Sequence, residues 1–207
     1  IVKIPEGGWF PLAVAGSIYF MMTTWRRGKR MMSIQINKIT DPLEKFITYY
    51  QNEAQSIVSG TAIYLTRNPY GTPPALFYNL KHNKILHEHI IILSIEFDQV
   101  PHVSLLKNAT VTKLDKYTTL IIIQYGYMDT TDLPNALRLL TQTGVAIDFE
   151  NAIYFLGRES VVVTKHTGMS PFRETVFEYL GRNSARITSY FNLPYNKVFE
   201  IGSRIKL

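Results

Sequence analysis

The sequence predicts an α/β protein: one N-terminal transmembrane helix followed by a cytoplasmic domain with a mixed, partly parallel sheet flanked by helices. Three observations predict it. Residues 7–25 carry no charge and are followed at once by Arg26, Arg27, Lys29 and Arg30. The run "HIIILSIEF" (89–97) is almost continuously apolar, as a strand covered on both faces is. Between and after these, short stretches rich in β-formers alternate with stretches of helical period.

The first element follows from length. Nineteen uncharged residues reach roughly 28 Å at about 1.5 Å of rise each, close to a hydrocarbon core of ~30 Å. Trp9, Phe10 and Trp25 put aromatic rings at its two ends, and Ala13, Ala15, Gly16 and Ser17 suit close helix contacts. A secretory signal carries its cations before the apolar stretch; here they follow it, which sets the C-terminal side in the cytoplasm. The division expected is 1–30 for this last membrane helix and its basic flank, 31–59 for a connecting amphipathic helix, and 60–207 for one cytoplasmic α/β domain. A chain that opens on Ile1 is expected of a fragment or a processed product.

In "DPLEKFITYYQNEAQSIVSG", Asp41 as cap, Pro42 in the first turn and Glu44 open an amphipathic helix predicted over 42–59, stopped by Gly60. "TAIYLT" (61–66) reads as a strand. Thr72 and Pro73 then begin a helix to about His82, with Asn83 as a left-handed stop. Strand, helix and strand in this order make a βαβ unit with parallel strands. "ATVTKL" and "TTLIIIQYGY" flank Asp115 and Lys116 as an antiparallel hairpin, so the sheet is mixed. Asp132 and Pro134 introduce a helix with Leu133, Ala136, Leu137 and Leu140 inward, ended by Gly144; 151–164 is β material. Ser170 and Pro171 open a helix with Phe172, Val176 and Leu180 on its inner face, and a Pro-containing loop leads to a final strand.

Charge narrows the function classes. The net charge is +6, yet beyond Arg30 there are 17 Lys and Arg against 15 Asp and Glu. The excess is the cluster beside the membrane helix, which fits an anionic leaflet and argues against nucleic acid as a partner. With no cysteine, a disulfide scaffold and thiolate metal sites are excluded.

Motifs for chemistry are missing where they would be expected. A zinc helix of HExxH type read from His87 would need a second histidine at 91, which is Ile91, and His87 and His89 are spaced for a strand, so no metal site is assigned. "RNPYGTPPA" lacks the glycines of a phosphate cradle, and Ser170 lies in "GMSPF", not in G-x-S-x-G. No catalytic residue and no resident cofactor are predicted. "NLKHNK" gathers Asn79, Lys81, His82, Asn83 and Lys84 at a helix end, where cations complement the dipole and can meet an anionic partner, and this is the candidate contact surface.

As strings, "GGWFPL", "MTTWRRGKR", "GTAIYLTR", "PPALFYNLKHNKILHEHIIIL", "YFLGRESVVV" and "RNSARITSYFNLPYNKVFEIGSRIKL" resemble, in the same order, the C-terminal part of the bacterial KUP potassium uptake permeases. The resemblance implies a proton-coupled potassium symporter of the bacterial inner membrane, with a cytoplasmic C-terminal domain of regulatory or assembly role. Potassium and protons would then be cargo of the intact protein, with ion sites in spans outside this chain. Its implied partners are the lipid bilayer, the transporter's own earlier spans, a second copy in a homodimer, and a cyclic-dinucleotide regulator. The alternative is a stand-alone, single-span, membrane-anchored α/β binding module.

Overall fold

The computed structural model describes residues 8–50, 56–104, 108–142, 147–162 and 169–206. Its helices are α1 (Trp9–Ile39), α2 (Leu43–Tyr50), α3 (Pro74–Tyr78), α4 (Leu133–Gln142), α5 (Pro171–Arg182) and α6 (Ile187–Tyr190). Its strands are β1 (Ser56–Thr66), β2 (Ile85–Asp98), β3 (Ala109–Lys113), β4 (Thr118–Gly126), β5 (Ile153–Val162) and β6 (Val198–Lys206). They form one six-stranded sheet in the order β3-β4-β2-β1-β5-β6. β1 lies parallel to β2 and β5, and β2 parallel to β4, while β3 closes an antiparallel hairpin on β4. The mixed, partly parallel sheet is therefore as the sequence predicts.

The apolar run of β2 is explained by cover on both faces. Ile91 and Leu93 join Ile63, Ile121, Ile123 and Tyr125 beneath Leu133, Leu137 and Leu140 of α4. The alternate residues Ile90 and Ile92 join Ala62, Tyr64 and Phe155 against Leu43 and Phe46 of α2 and Leu76 and Leu80 of the segment after β1. The four inward residues expected of α4 are all buried, and Asp132 opens it by accepting the Asn135 N–H at 3.0 Å. Gly144, its expected end, lies outside the described residues, as do 163 and 164 of the strand expected over 151–164.

Several boundaries differ. α1 does not stop at the expected boundary after Arg30 but runs on to Ile39, taking in the start of the segment assigned to the connecting helix. Pro42 precedes α2 rather than opening it: it bridges to Gly71, and the Leu43 N–H donates to Tyr70 O. The helix predicted over 42–59 is described only for Leu43–Tyr50, and 56–59 already belong to β1. Gly60 is not a helix stop but a strand bulge: it takes φ +110°, and the register slips between Val58 opposite His87 and Thr61 opposite His89. A residue with a Cβ resists that φ. Pro73 caps α3, and Lys84 at φ 58°, not Asn83, makes the left-handed turn.

The chain divides into two compact units, one built around α1 and α5, the other, Ile39–Glu159 with Ala185–Ser203, holding most of the sheet. In the first, Thr24, Gly28 and Met32 form the buried stripe of α1. A Cβ on Gly28 would stand 2.4 Å from the Phe177 ring, so only glycine admits α5 at this distance. The inner face of α5 is Glu174 and Phe177, not the expected Phe172, which is exposed. No helix among the described residues is long and apolar enough to cross a membrane on its hydropathy. Pro11, Gly16, Ser17, Tyr19 and the threonines 23 and 24 dilute the apolar half of α1.

Burial of three phenols gives the fold an alkaline limit. Desolvation pushes Tyr64, Tyr125 and Tyr154 each up to about 12, with Asp132 adding to the shift of the last two. The unfolded phenols ionise near 10. Because the folded values are raised, this contribution is present below about pH 10 and is lost as pH rises toward about 12. The urea midpoint should therefore fall across that window, and Tyr64→Phe should flatten the fall. An unchanged slope in the variant would show that the buried Tyr64 phenol is not a source of it.

Candidate functional site

Two places carry the residues singled out by the sequence. The first is the turn after β1. α3 begins at Pro74 because Pro73 and Pro74 fix its entry, and after one turn the backbone widens into a π-helical turn, Asn79–Asn83. Such widened turns are rare and recur at functional positions.

Asn79, grouped with the contact surface, lies inside. It is 6% exposed, and its amide donates to the Tyr64 hydroxyl at 3.1 Å and to Ile85 O at 3.4 Å. Its carbonyl accepts from the Asn83 amide at 2.8 Å. Tyr64 in turn stacks on Phe155, with ring centroids 4.8 Å apart. One polar chain therefore ties the turn to β1, β2 and the aromatic layer of the core. The sequence held no local sign of this partner, which lies fifteen residues earlier on another element.

Lys81, His82 and Asn83 face outward. The Lys81 ammonium sits 5.5 Å from the Phe77 ring centroid, and the His82 ring stacks on Tyr78 at 6.0 Å. Lys84, half-buried, closes the turn through its N–H to Leu80 O, and its own carbonyl accepts from Ser56 at the start of β1. The arrangement presents a cation, an imidazole and an amide from a braced support. It offers no nucleophile beside a base, and no group of acidic, histidine or cysteine side chains among the described residues is placed to hold a metal ion. His87, with its titration lowered by burial, packs on Phe155 with ring centroids 5.6 Å apart, while His89 is exposed.

The second place is α1. At about 100° per residue, Arg26, Arg27, Lys29 and Arg30 span an arc of about 160°, and Gly28 falls in the opposite sector. The cations thus fan away from the face that receives Phe177. Arg26, Arg27 and Arg30 are exposed, and the Lys29 ammonium lies 4.9 Å from the Trp25 ring centroid. Before them, Trp9, Phe10, Leu12, Val14, Ile18, Tyr19, Met21 and Met22 are all exposed, at 43–71%. Two of the hydroxyls there are used, Ser17 donating to Ala13 O at 2.8 Å and Thr23 to Phe20 O at 3.0 Å, while the buried Thr24 hydroxyl has no hydrogen-bond partner among the described residues.

These features define a class: an α/β domain carried behind a long helix that is uncovered and apolar in its first half and cationic in its second. Residues 59–207 match the model of the K+ potassium transporter C-terminal domain, and the chain belongs to that family. Along its whole length it is 39% identical to a "Probable potassium transport system protein Kup" of Zymomonas mobilis, and 36% identical to a protein of the same description from Myxococcus xanthus. A Bordetella avium protein so described is 38% identical. The chain spans about a third of the length of these relatives, 32–33%. No solved structure matches it.

The turn yields a direct test. Asn79→Ala leaves the Tyr64 hydroxyl and Ile85 O without their donor and should cost about 1–3 kcal/mol. Lys81→Ala removes one exposed cation–π contact and should cost no more than about 1 kcal/mol. Urea denaturation of both variants decides: equal losses would mean that Asn79 does not brace the turn.

Proposed function

We propose that this chain is the C-terminal portion of a proton-coupled potassium transporter, supplying its last membrane span and a cytoplasmic regulatory or assembly domain. The observation that carries the reading is the likeness of the whole chain, helix included, to potassium transport system proteins about three times as long. Potassium and protons are cargo, and their binding sites lie in parts of the transporter outside this chain. The helix itself agrees, since residues 8–25 hold no ionisable acid or base at which an ion could pause.

The apolar half of α1 is then a bilayer segment of the bacterial inner membrane. Its modest hydropathy suits a helix packed among other spans better than one facing lipid alone. Ser17 and Thr23 bond to carbonyls of their own helix, so they bring no unmet polar group into the hydrocarbon. Ala13, Ala15 and Gly16 let a neighbouring helix approach closely. The cations that follow hold the C-terminal side in the cytoplasm, and the outward residues of the π-helical turn, Lys81, His82 and Asn83, are the surface offered to the membrane part, a second subunit or a regulator.

Expressed in a bacterium, the chain should stay with the membrane through alkaline carbonate extraction. A reporter fused after Leu207 should read cytoplasmic, and replacing Arg26, Arg27, Lys29 and Arg30 with Asn should weaken that bias. Release of the unaltered chain by carbonate would sink the membrane reading. The transport reading is tested in the intact protein, which should restore growth of a potassium-uptake-deficient bacterium at low potassium; failure of a stably produced protein to do so would reject it.

A further inference from the structure

We infer that α5 lies in the lipid headgroup layer and serves as a second, interfacial anchor beside α1. The inference rests on the reading of α1 as a membrane helix, and it adds a surface that neither the family match nor the sequence motifs assign.

The argument starts from where α5 touches α1. The Phe172 ring lies 5.7 Å from the Phe20 ring, and the Arg173 guanidinium 5.0 Å from the same ring. Phe177 meets Trp25 at 5.5 Å and closes over Gly28. These contacts bracket the step from Trp25 to Arg26, where the uncharged half of α1 gives way to its cations. Phe20 to Gly28 is roughly 12 Å of helix and includes that step. A helix fixed there is fixed at the level at which a bilayer passes from hydrocarbon to water.

The outer surface of α5 is built for that level. Phe172, Thr175, Tyr179 and Arg182 follow one another at helical spacing, and Phe172 and Tyr179 are 70% and 67% exposed. The opposite face, Glu174 and Phe177, is the one buried. Large aromatic residues left facing water on an otherwise amphipathic helix are the pattern of an interfacial helix. Charge selects the occupant. Glu174 is buried and Glu178 is paired with Arg182 at 2.5 Å, so the acids of α5 do not oppose an anionic surface. The cations at the boundary are those of α1, Arg26, Arg27, Lys29 and Arg30, while Arg173 sits over Phe20 on the uncharged side. The surface that fits is a layer of anionic phospholipid headgroups.

The chain has no cysteine, so single cysteines can carry a nitroxide label. Thr175→Cys samples α5, Ser17→Cys the apolar half of α1, and Thr112→Cys an exposed position on β3. The full chain is placed in vesicles of phosphatidylcholine with or without phosphatidylglycerol, and each label's collisions with oxygen and with a water-soluble nickel chelate are compared. The oxygen-to-nickel ratio should be several-fold higher at Thr175→Cys than at Thr112→Cys when phosphatidylglycerol is present. It should fall when that lipid is omitted, and also in the background of Phe172→Ser with Tyr179→Ser. A ratio at Thr175→Cys equal to that at Thr112→Cys overturns the inference. So does a label that is immobilised without gaining oxygen contact, because a protein surface, such as a second copy, would then cover α5. Water exposure at Ser17→Cys would overturn the membrane reading of α1 on which the inference rests, whereas depth at Ser17→Cys with water exposure at Thr175→Cys would overturn the inference alone.

Discussion

The sheet depends on one constraint: β1 and β2, at its centre, must be shielded from water on both faces. Neither strand has a polar face to offer, since Ala62, Ile63 and Tyr64 are all buried in sequence, as are Ile90, Ile91, Ile92 and Leu93. A parallel pair of this kind needs helices on each side. α4, with ten residues, covers one face. On the other, α3 has only five before the chain widens, so Leu43 and Phe46 of α2 are recruited from ahead of β1. That explains why the loop after β1 is tied backwards. Asp41 O accepts both the N–H and the hydroxyl of Thr72, at 3.3 and 2.6 Å, which holds the start of α2 against the end of β1.

Elements whose partner is the sheet were legible in the sequence because the sheet fixes both their period and their phase. β2 could be read from its apolar run, and α4 from four residues at helical spacing, all buried as read. The pieces that were not legible answer to something else. The start of β1 pairs with Ile85–His87 across a bulge, and the helical spacing of Ile57 and Val58 with Tyr50 conceals it. The phase of α5 was misread because its partner is a glycine on α1, not the sheet. Phe172 and Val176 make a reasonable apolar face in isolation, yet Gly28 leaves room for a ring on α1, and Phe177 is the residue that fills it.

The turn after β1 shows the same division within six residues. The sequence displays its donors, and the outward set, Lys81, His82 and Asn83, could be listed from it. What it conceals is that Asn79 belongs to the interior, because that role is created by Tyr64 and by the carbonyl of Ile85 arriving from two strands. The consequence for function is mechanical. A surface turn ending on a left-handed lysine would by itself be strained and mobile. Braced through Asn79 to the core, it holds its outward groups on a fixed support.

Around α1 the logic that completes the sheet is left unfinished. Among the described residues of its unit, the only buried apolar side chains are Met32 and Phe177, with Trp25, Met31, Ile36 and Met169 partly covered. Two such side chains close one short stretch of helix surface and no more. Trp9 to Met22 present apolar atoms around most of the helix circumference, which rules out one missing neighbour as sufficient cover, since a single helix shields only one stripe of another. An apolar surround would cover this half on all sides, and it would have to end at Trp25, because the next turn carries four cations. Under the proposed reading, a bilayer and its embedded helices would supply both, the first through hydrocarbon and close-packed spans, the second through the headgroup boundary.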